Sequence, residues 1–159
     1  MPEHPIPPIV DANSRILILG SFPSVLSRET MFFYGHPQNR FWKVLSLVYD
    51  RPLPVTIPEK KALLLSHGIA LWDVIAPSEI TGSSDTSIKN VIPNDLTQIF
   101  KIAPIRQIYV NGKTAEKYYN HTLRSSTGRE AICLPSTSPA NASWSLERLV
   151  QAWKIIAEE

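Results

Sequence analysis

Four short apolar runs, each followed by turn-forming residues, predict β-strands along the chain. The first covers residues 15–20 and stops abruptly at the turn Gly20-Ser21-Phe22-Pro23-Ser24, as a buried strand does when it ends in a tight turn. The other three cover residues 69–74, 106–110 and 131–134. Because ligands bind beyond the carboxyl ends of strands in open α/β sheets, the turn after the first strand is predicted to form one wall of a site.

Helices are predicted between these strands from apolar residues at helical spacing and from start and stop signals. The first, over about 39–49, carries an apolar stripe and is ended by the two prolines that follow it. Four more are predicted: one with Pro58 in its first turn that stops at His67-Gly68, one opened by Pro93, one with Asn111 as its N-cap, and a C-terminal helix through Leu146, Leu149, Val150, Trp153 and Ile156.

Strands that alternate with helices indicate a parallel sheet covered by helices on both faces. The predicted fold class is α/β, a three-layer α/β/α sandwich. No internal repeat and no linker divides the chain, so residues 1–159 are predicted to form one domain, with a proline-rich extended arm or packed loop over residues 1–14. Residues 76–90 are the longest polar stretch without periodicity, which in a compact domain indicates a functional or disordered loop.

The composition is that of an ordinary globular protein, with 43% hydrophobic and 19% charged residues. The formal charge of +2 indicates no global basic field, although a local basic patch fits within that balance. The single cysteine, Cys133, lies in an apolar run and is expected to be a buried thiol. One cysteine excludes an internal disulfide and a cysteine-only metal site.

Several broad classes of function are disfavoured. No stretch approaches the ~20 apolar residues of a membrane span, and no signal peptide is visible, so a cytoplasmic protein without a membrane partner is expected. The histidines at positions 4, 36, 67 and 121 have no metal-ligand spacing, so no metal is expected. The dinucleotide fingerprint and the P-loop are absent, and Phe22 stands where a hydrolase nucleophile elbow needs Ser.

Two loops that follow strands are candidates for chemistry, namely residues 20–24 and 135–141. If both strands are central, both loops open on one edge of the sheet. Small hydroxyl residues and backbone amides in such places can hold phosphate oxygens. For Ser136, Ser138 and Asn141, turn formation and helix capping are the alternative.

The segment 35–40 places polar side chains just before a helix. Asn39 is either the N-cap of that helix or a side chain whose amide oxygen orients a water while its NH2 group donates elsewhere. The aromatic residues 32–34, which end at Tyr34, offer faces on which a base could stack, or they belong to the core.

With these residues laid out, the chain resembles the uracil-DNA glycosylase superfamily, and within it the hypoxanthine-DNA glycosylase branch. His36-Pro37-Gln38-Asn39-Arg40-Phe41-Trp42-Lys43-Val44 is very similar to the segment that mismatch-specific uracil and thymine-DNA glycosylases carry after their first motif. Residues 20–24 match the first motif, residues 134–141 match the second, and residues 145–150 also resemble the mismatch-specific enzymes. The resemblance spans nearly the whole chain.

This resemblance implies a four-stranded parallel sheet with helices on both sides. It also implies hydrolysis of the N-glycosidic bond to a damaged base, with no cofactor, by an enzyme that acts as a monomer on DNA containing deaminated bases. The reaction needs an extruded nucleotide, a held water, and stabilisation of the positive sugar and the negative leaving base.

The chain departs from its relatives at Phe22, because the third residue of their first motif is an Asp or Asn that positions the water. In the hypoxanthine branch, the Asn of the motif that matches residues 38–40 is thought to take that role. The resemblance therefore implies Asn39 as the catalytic residue.

Other roles follow from the same resemblance. Gly20 and Ser21 belong to the substrate-binding motif, Tyr34 falls where relatives stack an aromatic on the flipped base, and Phe22 closes the other side of the pocket. Asp73 lies near where relatives read the base edge, and its carboxylate would accept a hydrogen bond from purine N1–H. A salt-bridged or capping Asp73 is the alternative.

The DNA-binding residues implied are Ser24, Ser136 and Ser138 on backbone phosphates, and Asn141 where the second loop approaches the DNA gap. At the wedge position, where relatives often have Leu, this chain has Ala140. Extrusion of the nucleotide would then rest on other residues.

The leading hypothesis is a monofunctional DNA glycosylase that acts on hypoxanthine first and uracil second. Lyase chemistry is not expected, because nothing marks Lys43 or Lys113 as a desolvated amine. The rivals are a catalytically inactive DNA-binding domain of the same fold, which Phe22 favours, and a hydrolase of small nucleosides that would act on free inosine and ignore duplex DNA.

Overall fold

The computed structural model describes residues 7–21, 33–34, 38–76 and 92–158. Its strands are β1 (Ile16–Gly20), β2 (Ile69–Asp73), β3 (Gln107–Asn111) and β4 (Ala131–Leu134). Its helices are α1 (Phe41–Val48), α2 (Ile57–Ser66), α3 (Thr97–Ile102), α4 (Lys113–Thr122), α5 (Arg124–Thr127) and α6 (Leu146–Trp153), and a 3-10 helix covers Lys154–Glu158. No helix in the described ranges is long and apolar enough to cross a membrane.

The four strands form one parallel sheet in the order β2-β1-β3-β4. In the register of this sheet, Gly20 pairs with Asp73, and Asn111 pairs with Leu134. Each of these residues ends its strand, so their side chains and the loops that follow them share one edge. The predicted α/β sandwich with four parallel strands is confirmed.

The core lies between this sheet and the helices that flank it. Every residue of β1 and of β2 is buried, as expected for strands of a sheet covered on both faces. Helix α1 packs against α6, α2 against β2, and α4 against β3 and β4. Phe41 and Trp153, both fully buried, meet edge to face where α1 crosses α6, with ring centroids 5.8 Å apart.

The free edge of β2 is covered by the N-terminal segment. Ile9 and Leu71 exchange two backbone hydrogen bonds of 2.9 Å in an antiparallel bridge. Of the two predicted alternatives, an extended arm or a packed loop, residues 7–14 therefore form the packed loop. Residues 1–6 lie outside the described part of the chain. Pairing an exposed edge in this way removes a template for aggregation.

Asn111 is not the N-cap of α4, as the sequence suggested. The strand runs one residue further than predicted, and Gly112, with φ 97°, makes the turn into the helix. Glycine adopts this backbone conformation without steric cost. A Cβ on Gly112 would stand 2.9 Å from the Ser136 Cβ, so the bare backbone also lets the loop after β4 approach.

Pro93 does not open a helix either. It forms an isolated bridge with Ile75, and α3 begins only at Thr97. The Asp95 carboxylate accepts hydrogen bonds from the Thr97 backbone N–H at 3.0 Å and from the Thr97 hydroxyl at 2.6 Å. These bonds stabilise the first residue of the helix. Most of the polar stretch 76–90 lies outside the described residues.

Cys133 is only partly buried, contrary to the expected buried thiol. The reason is that β4 is the last strand of the sheet, with no further strand beside it among the described residues. Its neighbour Ile132 is 37% exposed for the same reason.

Candidate active site

Three predicted site residues meet at the carboxyl edge of the sheet. A Cβ on Gly20 would stand 2.5 Å from Asp73 Oδ1 and 2.9 Å from the Tyr34 hydroxyl oxygen. Both polar atoms therefore occupy the space that any larger residue at position 20 would need. The absence of a side chain at Gly20 therefore lets the Asp73 carboxyl and the Tyr34 phenol pack directly against the strand backbone, close to each other.

Asp73 is the buried carboxyl of this group, only 6% exposed. Burial raises the pKa of Asp73 to about 7. No described Lys or Arg forms an ion pair with it, and it ends a strand rather than capping a helix. Its backbone carbonyl accepts a hydrogen bond of 2.8 Å from the Asn94 amide, which fixes the position of the strand end.

Tyr34 is held in a sparsely populated conformation, with φ 54° in the left-handed region. Its ring stacks on Phe41 with centroids 4.1 Å apart and an interplanar angle of 22°. Its hydroxyl accepts a hydrogen bond of 3.2 Å from Asn111 Nδ2. Burial, and secondarily the negative charge of Asp73, raise the pKa of Tyr34 above its usual value, so the group stays a neutral phenol.

Asn39 lies at the start of α1, two residues before its first residue. Its Oδ1 accepts a hydrogen bond of 2.9 Å from the Phe41 backbone N–H, although Arg40 is the N-cap position. Asn39 therefore caps the start of the helix through an Asx turn, in which its side-chain oxygen accepts a hydrogen bond from the backbone N–H two residues later. The same Oδ1 also accepts a hydrogen bond of 2.9 Å from the Thr137 hydroxyl.

Thr137 and Asn111 complete a connection that the sequence did not reveal. The Thr137 backbone N–H donates to Asn111 Oδ1 at 3.1 Å, and Asn111 Nδ2 donates to Thr137 Oγ1 at 3.0 Å. Asn111, Thr137 and Asn39 therefore form a continuous hydrogen-bonded chain that also reaches the Tyr34 hydroxyl. Asn111 could have been found from its place at a strand end, whereas Thr137 carries no signal beyond its membership of the loop 135–141.

The predicted phosphate contacts in that loop are engaged in turns. Ser136 Oγ accepts from the Ser138 N–H, and Ser138 Oγ accepts from the Ala140 N–H, each at 3.1 Å. Asn141 Nδ2 donates to the Ser136 carbonyl at 3.0 Å. The turn-forming alternative therefore holds for these residues, but both serine hydroxyls act as acceptors there and keep a proton to donate.

Arg40 ties this loop to α1. Its backbone N–H donates to the Thr137 carbonyl at 3.1 Å, and its guanidinium donates to the carbonyls of Asn141, at 3.1 Å, and Trp144. The Trp153 indole adds a hydrogen bond of 2.9 Å to the Pro135 carbonyl. The cation is thus used within the protein to shape the loop.

An open groove of about 800 Å³ runs along this edge of the sheet. It is lined by Ser21, Asn111, Gly112, Lys113, Thr114, Glu116, Cys133, Leu134, Pro135, Ser136, Ser138, Ala140, Asn141 and Trp144. The predicted residues Ser21, Ser136, Ser138 and Asn141 are thereby brought together. Asn111 links the groove to the cluster of Asn39, Tyr34 and Asp73.

Two predicted site residues, Phe22 and Ser24, lie outside the described part of the chain. Within the described ranges, no group of three or more His, Cys, Asp or Glu side chains is placed to hold a metal ion.

Comparison with known proteins identifies the family of this chain. The family model of the uracil DNA glycosylase superfamily matches residues 7–157. A hypoxanthine DNA glycosylase of Methanosarcina acetivorans is 36% identical over 93% of this chain and 94% of its own length. A hypoxanthine DNA glycosylase of Methanosarcina barkeri is 33% identical over 89% of both chains.

A solved structure gives the same result for the fold. The solution NMR structure of a proposed uracil DNA glycosylase from Methanosarcina acetivorans superposes with a TM-score of 0.75 at 28% identity, covering 98% of this chain and 99% of that one. The chain therefore belongs to the uracil DNA glycosylase superfamily and is an enzyme of the DNA glycosylase class.

Proposed function

We propose that the protein is a monofunctional DNA glycosylase that removes hypoxanthine first and uracil second from DNA, as the first step of base excision repair. The observation that carries this proposal is the hydrogen-bonded cluster of Asn39, Thr137, Asn111 and Tyr34, which stands beside Asp73 at the edge of the sheet. The two hypoxanthine DNA glycosylases that the chain resembles support the choice of base. The enzyme acts as a monomer and without a cofactor.

The base enters the space beside Tyr34 after its nucleotide leaves the duplex stack. One face of the Tyr34 ring is covered by Phe41, so the base stacks on the opposite face. The ionised Asp73 carboxylate accepts a hydrogen bond from hypoxanthine N1–H. Uracil presents the equivalent N3–H, whereas adenine N1 and cytosine N3 carry no proton, so one acceptor favours both deaminated bases over their parents.

Hydrolysis requires a water held against C1′ of the sugar while the bond to the base breaks. Asn39 positions that water, in the place of the residue that Phe22 replaces. The Ser136, Ser138 and Ser24 hydroxyls donate to backbone phosphates, and Asn141 follows the strand at the gap left by the base. Since Ala140 is too small to fill that gap, the DNA is expected to be held open by the surrounding loop.

The proposal is tested with labelled duplexes that carry one hypoxanthine, uracil or xanthine, incubated with protein and then cleaved by alkali. We expect product from hypoxanthine DNA with the wild type and none with Asn39→Ala. Asn120→Ala, the same substitution on the exposed side of α4, is the matched control and should cleave normally. Circular dichroism confirms that all three proteins are folded. Cleavage by Asn39→Ala at the wild-type rate would reject Asn39 as the catalytic residue.

Phe22 in the usual place of the water-positioning residue favours one rival, a DNA-binding domain without activity. That rival predicts binding that weakens steeply with salt but no product on any duplex. Product that appears before alkali treatment would instead indicate a lyase.

A further inference from the structure

We propose that Thr137 and Asn111 are positioning residues that fix the orientation of the Asn39 amide, so that Nδ2 rather than Oδ1 faces the reaction. This inference rests on the proposed function in so far as it concerns catalysis. It assigns to Thr137, a loop residue with a fully buried side chain, a role in setting which atom of Asn39 holds the water.

The first fixed point is the start of α1. The Phe41 backbone N–H can only donate, so the Asn39 atom that faces it at 2.9 Å must be the acceptor Oδ1. A rotated amide would place two donors against each other. The helix start therefore orients Asn39 from one side.

The second fixed point is the backbone of the loop after β4. The Thr137 N–H can only donate, so it must face Asn111 Oδ1, which leaves Asn111 Nδ2 to donate to Thr137 Oγ1. With its oxygen already accepting from Asn111, the Thr137 hydroxyl directs its own proton to Asn39 Oδ1. Two backbone amides thus set the direction of the whole chain of hydrogen bonds.

The consequence is that both lone pairs of Asn39 Oδ1 are used, one by Phe41 and one by Thr137. Asn39 Nδ2 has no hydrogen-bond partner among the residues that the structure describes. A water at this position meets a donor, which occupies one of its lone pairs and leaves the other to attack. The water oxygen forms a bond to C1′ as the C1′–N bond breaks, and the base leaves with the electron pair of the broken bond. One proton of the water ends on the base, and the hydroxyl group stays on C1′.

The decisive substitution is Thr137→Val, which keeps the shape of the side chain and removes the hydroxyl. Thr137→Ser, which keeps the hydroxyl, is its matched control. Under single-turnover conditions we expect Thr137→Val to cleave hypoxanthine DNA about tenfold more slowly or worse, because a small misplacement of a reacting group has effects of this size. Thr137→Ser should stay within about threefold of the wild type, and the affinity for duplex DNA should be unchanged in both.

A double-mutant cycle separates positioning from a general loss of structure. If Thr137 acts through Asn39, Thr137→Val adds no further loss in an Asn39→Ala background, where the residual rate, too slow to give product in the first assay, is measured with excess enzyme over a longer incubation. If the two losses multiply, or if folded Thr137→Val cleaves like the wild type, the proposal is wrong.

A second measurement does not depend on activity. The side-chain 1H–15N signals of Asn39, recognised by their absence in Asn39→Ala, report the environment of its amide. We expect Thr137→Val to shift them and Thr137→Ser to preserve them; unchanged signals in a folded Thr137→Val would overturn the proposal. If Thr137→Val shifts these signals but the wild type cleaves no duplex, the proposed function is refuted and the orienting role of Thr137 stands.

Discussion

The rings of Tyr34 and Phe41 lie 4.1 Å apart between centroids and nearly parallel. Phe41 is the first residue of α1 and is fully buried, so Tyr34 rests on a support that belongs to the core. Its hydroxyl is anchored at the other end by Asn111. Together the two contacts fix the plane of the Tyr34 ring, on whose other face the extruded base is proposed to stack.

Substitutions of Tyr34 should separate stacking from hydrogen bonding. Tyr34→Leu removes the flat face and should weaken binding of an extruded base by about 1–3 kcal/mol, the usual value of base–aromatic stacking. Tyr34→Phe keeps the face and should lose much less. The measurement is the single-turnover rate against protein concentration on hypoxanthine DNA. Equal losses in the two variants would mean that the hydroxyl, and not the ring face, is the important part.

Gly20→Ala tests the close approach at the floor of the site. The added Cβ would collide with Asp73 Oδ1 and with the Tyr34 hydroxyl, so one of them must move. We expect cleavage to fall at least about tenfold, as expected when reacting groups are displaced by a fraction of an ångström. Gly128→Ala is the matched control, because a Cβ there meets nothing within 4 Å. It should lower stability by about 1 kcal/mol, since φ is 68°, and leave activity intact. Normal cleavage by Gly20→Ala would show that Asp73 and Tyr34 need not stand where they do.

The strands of this fold could be read from the sequence because each is a short, fully apolar run that ends at a turn. β1 and β2 are buried along their whole length, which requires such runs, and all four predicted strands agree with the structure to within one residue at each end. The place of a site at the strand ends follows from the parallel sheet itself.

The connection between Asn39 and Thr137 could not be read in this way. The two residues lie 98 positions apart. Asn39 follows β1 and Thr137 follows β4, and they meet because only β3 lies between those strands and the loop after β4 bonds to Asn111 at the end of β3, an order that no local pattern specifies. The N-cap predicted at Asn111 is wrong for a related reason. An Asn before a helix favours a cap, whereas here Gly112 makes the turn and frees the Asn111 amide to bond across the sheet edge.

Arg40 should matter for the shape of the loop after β4 rather than for direct contact with DNA. Arg40→Lys keeps the charge but cannot reach the carbonyls of Asn141 and Trp144 together with the same planar donors. We expect it to lower the free energy of unfolding by about 1–3 kcal/mol, to weaken cleavage, and to leave the salt dependence of DNA binding unchanged. Denaturant unfolding measures the stability, the duplex assay measures cleavage, and DNA binding at several salt concentrations measures the salt dependence. Arg51→Lys, at an exposed position, is the control. Arg40→Gln, which removes the charge, should also leave the salt slope unchanged, and a smaller slope in that variant would place this cation on a phosphate instead.

The pH dependence of cleavage should follow Asp73. Only the ionised carboxylate accepts the N1–H of hypoxanthine without competition from its own proton, and the pKa of this group is raised to about 7 by burial. The rate should therefore rise between about pH 6 and pH 8 and then level off. Asp73→Asn should lose this rise and cleave roughly 10–100-fold more slowly, the value of a hydrogen bond to a charged group. A rise that persists in Asp73→Asn would assign the titration to another group.

The same carboxyl predicts an opposite trend in stability. The pKa of Asp73 is higher in the folded protein, about 7, than in the unfolded chain, so the folded state binds the proton more tightly. Its contribution to stability is complete below about pH 4 and is lost as the pH rises through about 7, by up to about 4 kcal/mol. Asp73→Asn should therefore unfold at the same denaturant concentration as the wild type near pH 4 and at a higher one at pH 8. Asp50→Asn removes the same charge at an exposed position and serves as the control. If Asp73→Asn were instead less stable than the wild type at pH 8, contacts to the buried carboxylate would have to outweigh the cost of its desolvation. Activity and stability would then not oppose each other at this residue.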